Sequence, residues 1–233
     1  MSIIAGNLQA VERTIEDACA GSGRARSEVR LLAVSKTFPA QAVVEAMAAG
    51  QRAFGENYLQ EALDKMQEVA RLQPGTAVEW HFIGPIQSNK TRPIAASFHW
   101  VHTVERLKIA QRLSEQRPPD LGPLDICLQV NISGEASKSG AAEADLPALA
   151  RQVAALPGLR LRGLMAIPEP STDPERQRAA FARLRGLFEA LRADGLALDT
   201  LSMGMSGDLA AAIAEGATIV RIGSAIFGTR HYE

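Results

Sequence analysis

Lys36 follows Val29 and the run Leu31-Leu-Ala-Val34, with Ser35 and Thr37 as its neighbours. A run of that kind forms a strand, buries its backbone and delivers the lysine side chain at the strand's mouth. Desolvation there would lower the amine from its usual pKa of about 10.4, and the neutral fraction attacks an aldehyde. The competing reading is a strand-end lysine that snorkels to water. Ser206-Gly207-Asp208 leads into the helical Leu209-Ala-Ala-Ala-Ile213, which places Ser206 as an N-cap or as a hydroxyl donor to a phosphate. Gly223-Ser224 offers close backbone approach and a second hydroxyl. Capping explains either serine alone, but two donors from adjacent strand ends suit one phosphate. Arg221 lies between Val220 and Ile222, where an unpaired cation would be costly, so it pairs with an acid such as Glu56 or meets a ligand.

The elements that must position these groups follow a repeating β-α rhythm. Apolar, β-branched or aromatic runs fall at 30–35, 52–56, 79–83, 100–104, 125–131, 160–167, 198–203 and 218–222. Segments of helical period fall between most of them, at 42–49, 59–72, 107–116, 146–156, 177–191 and 209–214. Ile4, Leu8, Val11 and Ile15 predict a leading amphipathic helix that ends at Gly21-Ser-Gly23. Runs such as Ile126-Cys-Leu-Gln-Val130 are apolar on nearly both faces, as in a parallel sheet covered on both sides. The expected fold is α/β: one (β/α)8 TIM barrel over 1–233 with an extra N-terminal helix, an open doubly wound sheet being the alternative. In such a barrel the polar residues that close each strand carry the chemistry.

The 233 residues carry 25 basic and 26 acidic side chains, with no like-charged run that would make a nucleic-acid stripe. Cys19 and Cys127 read as free intracellular thiols. Neither a signal peptide nor a membrane span of roughly 20 apolar residues is present, so a cytoplasmic location is expected. His81, His99, His102 and His231 lack the spacing and partners of a zinc site. Gly134-Glu-Ala-Ser-Lys138-Ser139 reads as a lid, with Lys138 a candidate second, transient aldehyde acceptor. Arg176, Arg178, Arg183, Arg185 and Arg192, interspersed with acids, read as a solvated face.

Several longer motifs occur in order: Val34-Ser-Lys36-Thr, Phe54-Gly-Glu-Asn57-Tyr, Trp80-His-Phe-Ile-Gly-Pro-Ile-Gln-Ser-Asn-Lys90, Val130-Asn-Ile-Ser133, Ser137-Lys-Ser-Gly140, Leu161-Arg-Gly-Leu-Met-Ala-Ile-Pro168, Leu201-Ser-Met-Gly-Met-Ser206 and Val220-Arg-Ile-Gly-Ser-Ala-Ile-Phe-Gly228. From about residue 30 onward the chain resembles the YggS/PROSC family of pyridoxal 5'-phosphate (PLP) homeostasis proteins. That resemblance implies a barrel like the N-terminal domain of alanine racemase (PLP fold type III), with PLP held covalently as a Schiff base on Lys36. By the same resemblance Arg221 would face the pyridine nitrogen, Ser206, Gly223 and Ser224 would hold the phosphate, and Asn57 would lie near the ring. Ile86 and Ser224 stand where leucine and threonine would be equally expected, and serine keeps the hydroxyl.

An arginine at the pyridine nitrogen disfavours protonation there and weakens the ring as an electron sink. Racemisation also needs an acid on the face opposite the lysine, which alanine racemase draws from a second domain and dimerisation. Here Tyr58 and Tyr232 are the available tyrosines. The expectation is therefore a monomeric carrier or reservoir with no catalytic residue, with B6 vitamers and PLP-dependent apo-enzymes as partners and neither nucleic acid nor membrane. A PLP-dependent racemase and a Schiff-base aldolase acting on a phosphorylated sugar are the alternatives.

Overall fold

The computed structural model describes residues 2–134 and 139–229. Eight parallel strands close into a barrel in sequence order: β1 Arg30–Val34, β2 Ala53–Glu56, β3 Glu79–Phe82, β4 Trp100–Val104, β5 Leu124–Gln129, β6 Leu159–Met165, β7 Thr200–Ser202 and β8 Ile219–Ile222. The ring closes where β8 pairs with β1, Leu32 opposite Arg221. Helices cover the outside: α1 Ile3–Gly21, α2 Ala40–Ala48, α3 Leu59–Leu72, α4 Thr91–Ser97, α5 Leu107–Gln116, α6 Leu146–Ala154, α7 Pro174–Ala193, α8 Leu209–Ala214 and the single turn α9 Ser224–Phe227. The open-sheet alternative is thereby excluded.

The helix α1 is capped by the Ser2 hydroxyl, which accepts from Ala5 N at 3.2 Å, and it buries Leu8, Val11, Ile15 and Cys19. That stripe packs on α2, α8 and α9, so the leading helix lies beside the β8–β1 seam. The sequence pattern does not foresee α4, whose seven residues include Pro93 in the first turn. Proline is tolerated there because the first-turn N–H groups have no intrahelical acceptor.

Successive strand residues alternate between two cores. Phe54, Phe82, Val101, Ile126, Leu128 and Val220 face the helices, whereas Leu32, Ala53, Trp100, Cys127, Met165 and Ile219 fill the lumen. The same alternation separates Glu56, in phase with outward Phe54, from Arg221, in phase with lumenal Ile219. The Glu56–Arg221 pairing, one of the two alternatives the sequence left open, therefore does not form, because the two side chains lie on opposite faces of the barrel wall.

One further expectation is corrected. Asp208, not Ser206, is the N-cap residue of α8, and its Oδ1 accepts from Met205 N at 2.6 Å. The arginine face of α7 is solvated as expected, and two of its members, Arg178 and Arg185, also reach Glu215, whose side chain is 5% exposed, at 2.8 and 2.9 Å, tying α7 to the end of α8.

Candidate functional site

Parallel strands of a barrel put all their carboxyl ends at one mouth, and there a cavity of about 260 Å³ opens. Lys36 enters from β1, Asn57 from β2, Ser206 from the loop after β7, and Arg221, Gly223 and Ser224 from β8 and its end. All six residues singled out from sequence thus line one cavity, with Ile83, Ile167 and Met205 as apolar walls. Lys138, His231 and Tyr232 lie outside the described residues.

Each group is held by local structure. Gly223 approaches β1 closely: a Cβ there would come within 3.1 Å of Val34 O, tighter than an ordinary contact, so a side chain would require the strand end to shift slightly. Gly84 plays the same part beside Asn57, where a Cβ would stand 2.1 Å from the Asn57 carbonyl oxygen. The Asn57 Oδ1 is buried and accepts no hydrogen bond from any described residue. Buried polar atoms are normally satisfied, so an unsatisfied one at a cavity wall marks a place for a ligand donor.

Arg221 is 4% exposed. Its Nη1 donates to Ser202 Oγ at 2.9 Å and its Nη2 to Ala166 O at 3.1 Å. No carboxylate among the described residues reaches within ion-pair distance. Burial lowers its pKa to about 10, with Asp208 and Cys127 opposing the shift, so it remains a cation at neutral pH. A buried guanidinium paired only with neutral oxygens retains donor capacity and charge for a further acceptor.

Sequence reasoning missed the brace around Lys36. The Lys65 side chain, 4% exposed on α3, donates to Ser35 O at 2.7 Å, to Glu56 Oε1 at 2.6 Å and to Glu61 Oε1 at 2.9 Å. Ser35 Oγ donates to Glu56 Oε1 and Thr37 N donates to Glu61 Oε1, both at 2.6 Å. The two backbone groups flanking Lys36 are therefore fixed by one ion cluster, and Thr37 is held at φ +69°, unusual for a β-branched residue. Desolvation raises the Glu56 pKa, against the lowering effect of Lys65. The spacing of Lys65 and Glu61, i and i+4 on one helix face, was the sequence signal available.

It also missed what fills the lumen beneath Arg221. Ser202 Oγ lies 2.7 Å from His102 Nδ1, His102 Nε2 lies 2.8 Å from His81 Nδ1, and His81 Nε2 lies 2.6 Å from Glu79 Oε1. Burial lowers the His81 pKa to about 4 and that of His102 well below its ordinary value, so both rings are neutral near pH 7. Among the described residues no group of three or more His, Cys, Asp or Glu side chains is arranged to hold a metal ion.

Residues 7–231 match the alanine racemase N-terminal domain family. The pyridoxal phosphate homeostasis protein of Pseudomonas aeruginosa is 66% identical over 232 residues, covering 100% of this chain and 98% of that one. The protein of the same name from Escherichia coli K12 is 53% identical over 232 residues, covering 100% of this chain and 99% of that one. PipY of Synechococcus elongatus PCC7942, solved with PLP bound, superposes with a TM-score of 0.84 at 37% identity, covering 97% of this chain and 100% of that one. Fold and site thus define a barrel of the alanine racemase N-terminal class. Within that class, the chain belongs to the family of pyridoxal phosphate homeostasis proteins.

Proposed function

We propose that this protein binds PLP covalently through Lys36 and serves PLP homeostasis as a carrier or reservoir rather than as an efficient enzyme. The observation that carries this reading is the convergence of an amine, a buried cation, two hydroxyls and an unsatisfied amide on one cavity of about 260 Å³. The residues fit the group. Lys36 supplies the nucleophile for the cofactor's aldehyde, Ser206 and Ser224 offer hydroxyls to its phosphate, Gly223 lets backbone approach, and Ile83 and Ile167 flank the ring. Arg221 offers a donor to the pyridine nitrogen, and Asn57 lies beside the ring.

When bound, PLP supplies an electrophilic carbon and an electron-accepting ring, and the surrounding protein groups select among its reactions. A permanent cation at the ring nitrogen opposes protonation there and so withholds the strongest electron sink. Tyr58 is 52% exposed, which suits packing at the rim better than a fixed acid opposite the lysine. These features favour holding PLP over turning over a substrate. The names of the relatives, homeostasis proteins, support the same reading. No helix among the described residues is long and apolar enough to cross a membrane. Buried, unpaired Cys19 and Cys127 suit the cytoplasm, where apo-enzymes would be the recipients of PLP from a monomeric donor.

The test is an absorbance spectrum of the PLP-loaded protein and of Lys36→Ala, before and after borohydride. The expected result is a visible band in the wild type, absent from the variant, with the reduced adduct mapped to Lys36. A wild type that stays colourless with added PLP overturns the assignment. Incubation of the loaded protein with L-alanine should leave its chirality unchanged, and rapid racemisation would overturn the carrier role.

A further inference from the structure

The lumen of a parallel barrel is ordinarily packed with layers of branched apolar side chains. Here a line of polar groups runs beside the apolar lumenal residues, from the cavity to the opposite end. Arg221 and Ser202 stand near the carboxyl ends of β8 and β7, whereas Glu79 is the first residue of β3, at the far mouth. Between them His102 and His81 are both fully buried. The row is flanked by Trp100, whose ring stacks on His81 at 5.4 Å and has the Arg162 guanidinium over it at 4.8 Å.

With both rings neutral, the chemistry of the donors and acceptors admits one arrangement of protons. Arginine only donates, so Ser202 Oγ must accept from Arg221. Glu79 is ionised and paired with Arg30 at 2.8 Å, so it only accepts. His81 must then carry its proton on Nε2 to donate to Glu79, which leaves its Nδ1 as an acceptor. His102 must in turn carry its proton on Nε2, and its Nδ1 accepts the Ser202 hydroxyl proton. The two ends demand the same direction at every link, and every ring nitrogen in the row is satisfied. In a water-excluded lumen, aligned hydrogen bonds polarise one another and strengthen together.

We infer that Glu79, His81, His102 and Ser202 are positioning residues for Arg221: a one-directional relay along the barrel axis that fixes the guanidinium in the cavity and extends the influence of the Glu79 carboxylate to it. The effect on PLP rests on the proposed contact of Arg221 with the cofactor, whereas the relay itself does not. Replacing the row by apolar side chains would fill the same space without any hydrogen-bonding demand, so the polar row is accounted for by what it does at its cavity end.

The informative variant is Glu79→Gln, remote from the cavity. Its amide oxygen still accepts from His81, so the row keeps its geometry and loses only its terminal charge. Two measurements decide. In the protein without added PLP, nitrogen-15 NMR should find His81 and His102 neutral at pH 7 with the proton on Nε2 in both. A cationic ring, or a proton on either Nδ1, overturns the relay, and this arm stands even if the protein fails to bind PLP. Equilibrium titration of PLP into wild type, E79Q, Ser202→Ala and the double variant forms the second arm. E79Q should bind PLP roughly threefold or more weakly, as expected for a partner outside the direct contacts. The double variant should bind no worse than S202A, because the link is already cut. An unchanged affinity in E79Q, or additive losses in the double variant, overturns the inference.

Discussion

The two backbone groups that flank Lys36 end on side chains of α3, so this lysine is only as well placed as the Lys65 cluster is intact. Lys65 and Glu56 are both buried, and removal of one member of such a pair leaves the other charged in a poor solvent. Lys65→Met, similar in volume and uncharged, is expected to cost about 3–5 kcal/mol in urea unfolding, much more than an exposed ion pair would. The pH dependence of that loss has a definite sign. Burial already raises the Glu56 pKa above its ordinary value, and without Lys65 it rises further. An acid with a raised native pKa is favoured in its protonated form, so the K65M penalty should grow from pH 5 to pH 8. Lys65→Met combined with Glu56→Gln should recover most of the loss, and a double variant as unstable as the single one would deny the charge argument.

At the scale of elements, the strands and most of the helices were legible because their signals are local. Leu59–Leu72, Leu107–Gln116 and Leu209–Ala214 begin and end where the periodicity predicts, and the strand ends delivered Lys36, Asn57, Ser206, Arg221, Gly223 and Ser224 to one cavity. What was illegible depends on which face of the wall a residue occupies once the ring has closed. Glu56 finds Lys65 across the strand–helix layer instead of Arg221 in the lumen, and His81 meets His102 only because β3 and β4 are neighbours. Neither fact is written in a nearby spacing. Close approaches between strands are equally non-local. A Cβ on Gly163 of β6 would lie 1.8 Å from Thr200 O of β7, so Gly163→Ala must push the two strands apart. We expect a loss of about 2 kcal/mol or more, typical of forced overpacking, read as a fall of roughly 4–8 °C in the melting temperature for a chain of this size. An unchanged melt would mean that the β6–β7 seam yields without cost.

The whole molecule has two unlike mouths joined by a polar axis. The far mouth is laced by ion pairs, Arg30 with Glu79 at 2.8 Å and Arg162 with Asp125 at 3.1 Å and Asp199 at 2.6 Å. The near mouth holds the cavity, and the imidazoles lie between. This layout fixes how global stability responds to acid. Desolvation lowers the His81 pKa to about 4 from an ordinary 6.5, against the raising effect of Glu79 and with Arg30 and His99 lowering it further. His99 and His102 are displaced in the same direction, also chiefly by burial. The unfolded chain therefore binds protons that the native state refuses between pH 6.5 and about 4, and stability rises with pH across that window. It is full above the unfolded value, falls as pH drops through the window, and stops falling from this source once native His81 itself protonates. His81 alone would remove about 3 kcal/mol between those limits. Glu79 does not blur the reading: although desolvation pushes its pKa up, the hydrogen bonds and charges of His81 and Arg30 bring it down to about 2, so it stays ionised throughout. Urea midpoints measured from pH 7 to pH 4 should decline steadily from about pH 6.5. A flat profile down to pH 4.5, with collapse only in the carboxylate range, would show that the lumenal imidazoles accept protons in the native barrel and that the axis is not a dry, one-directional row.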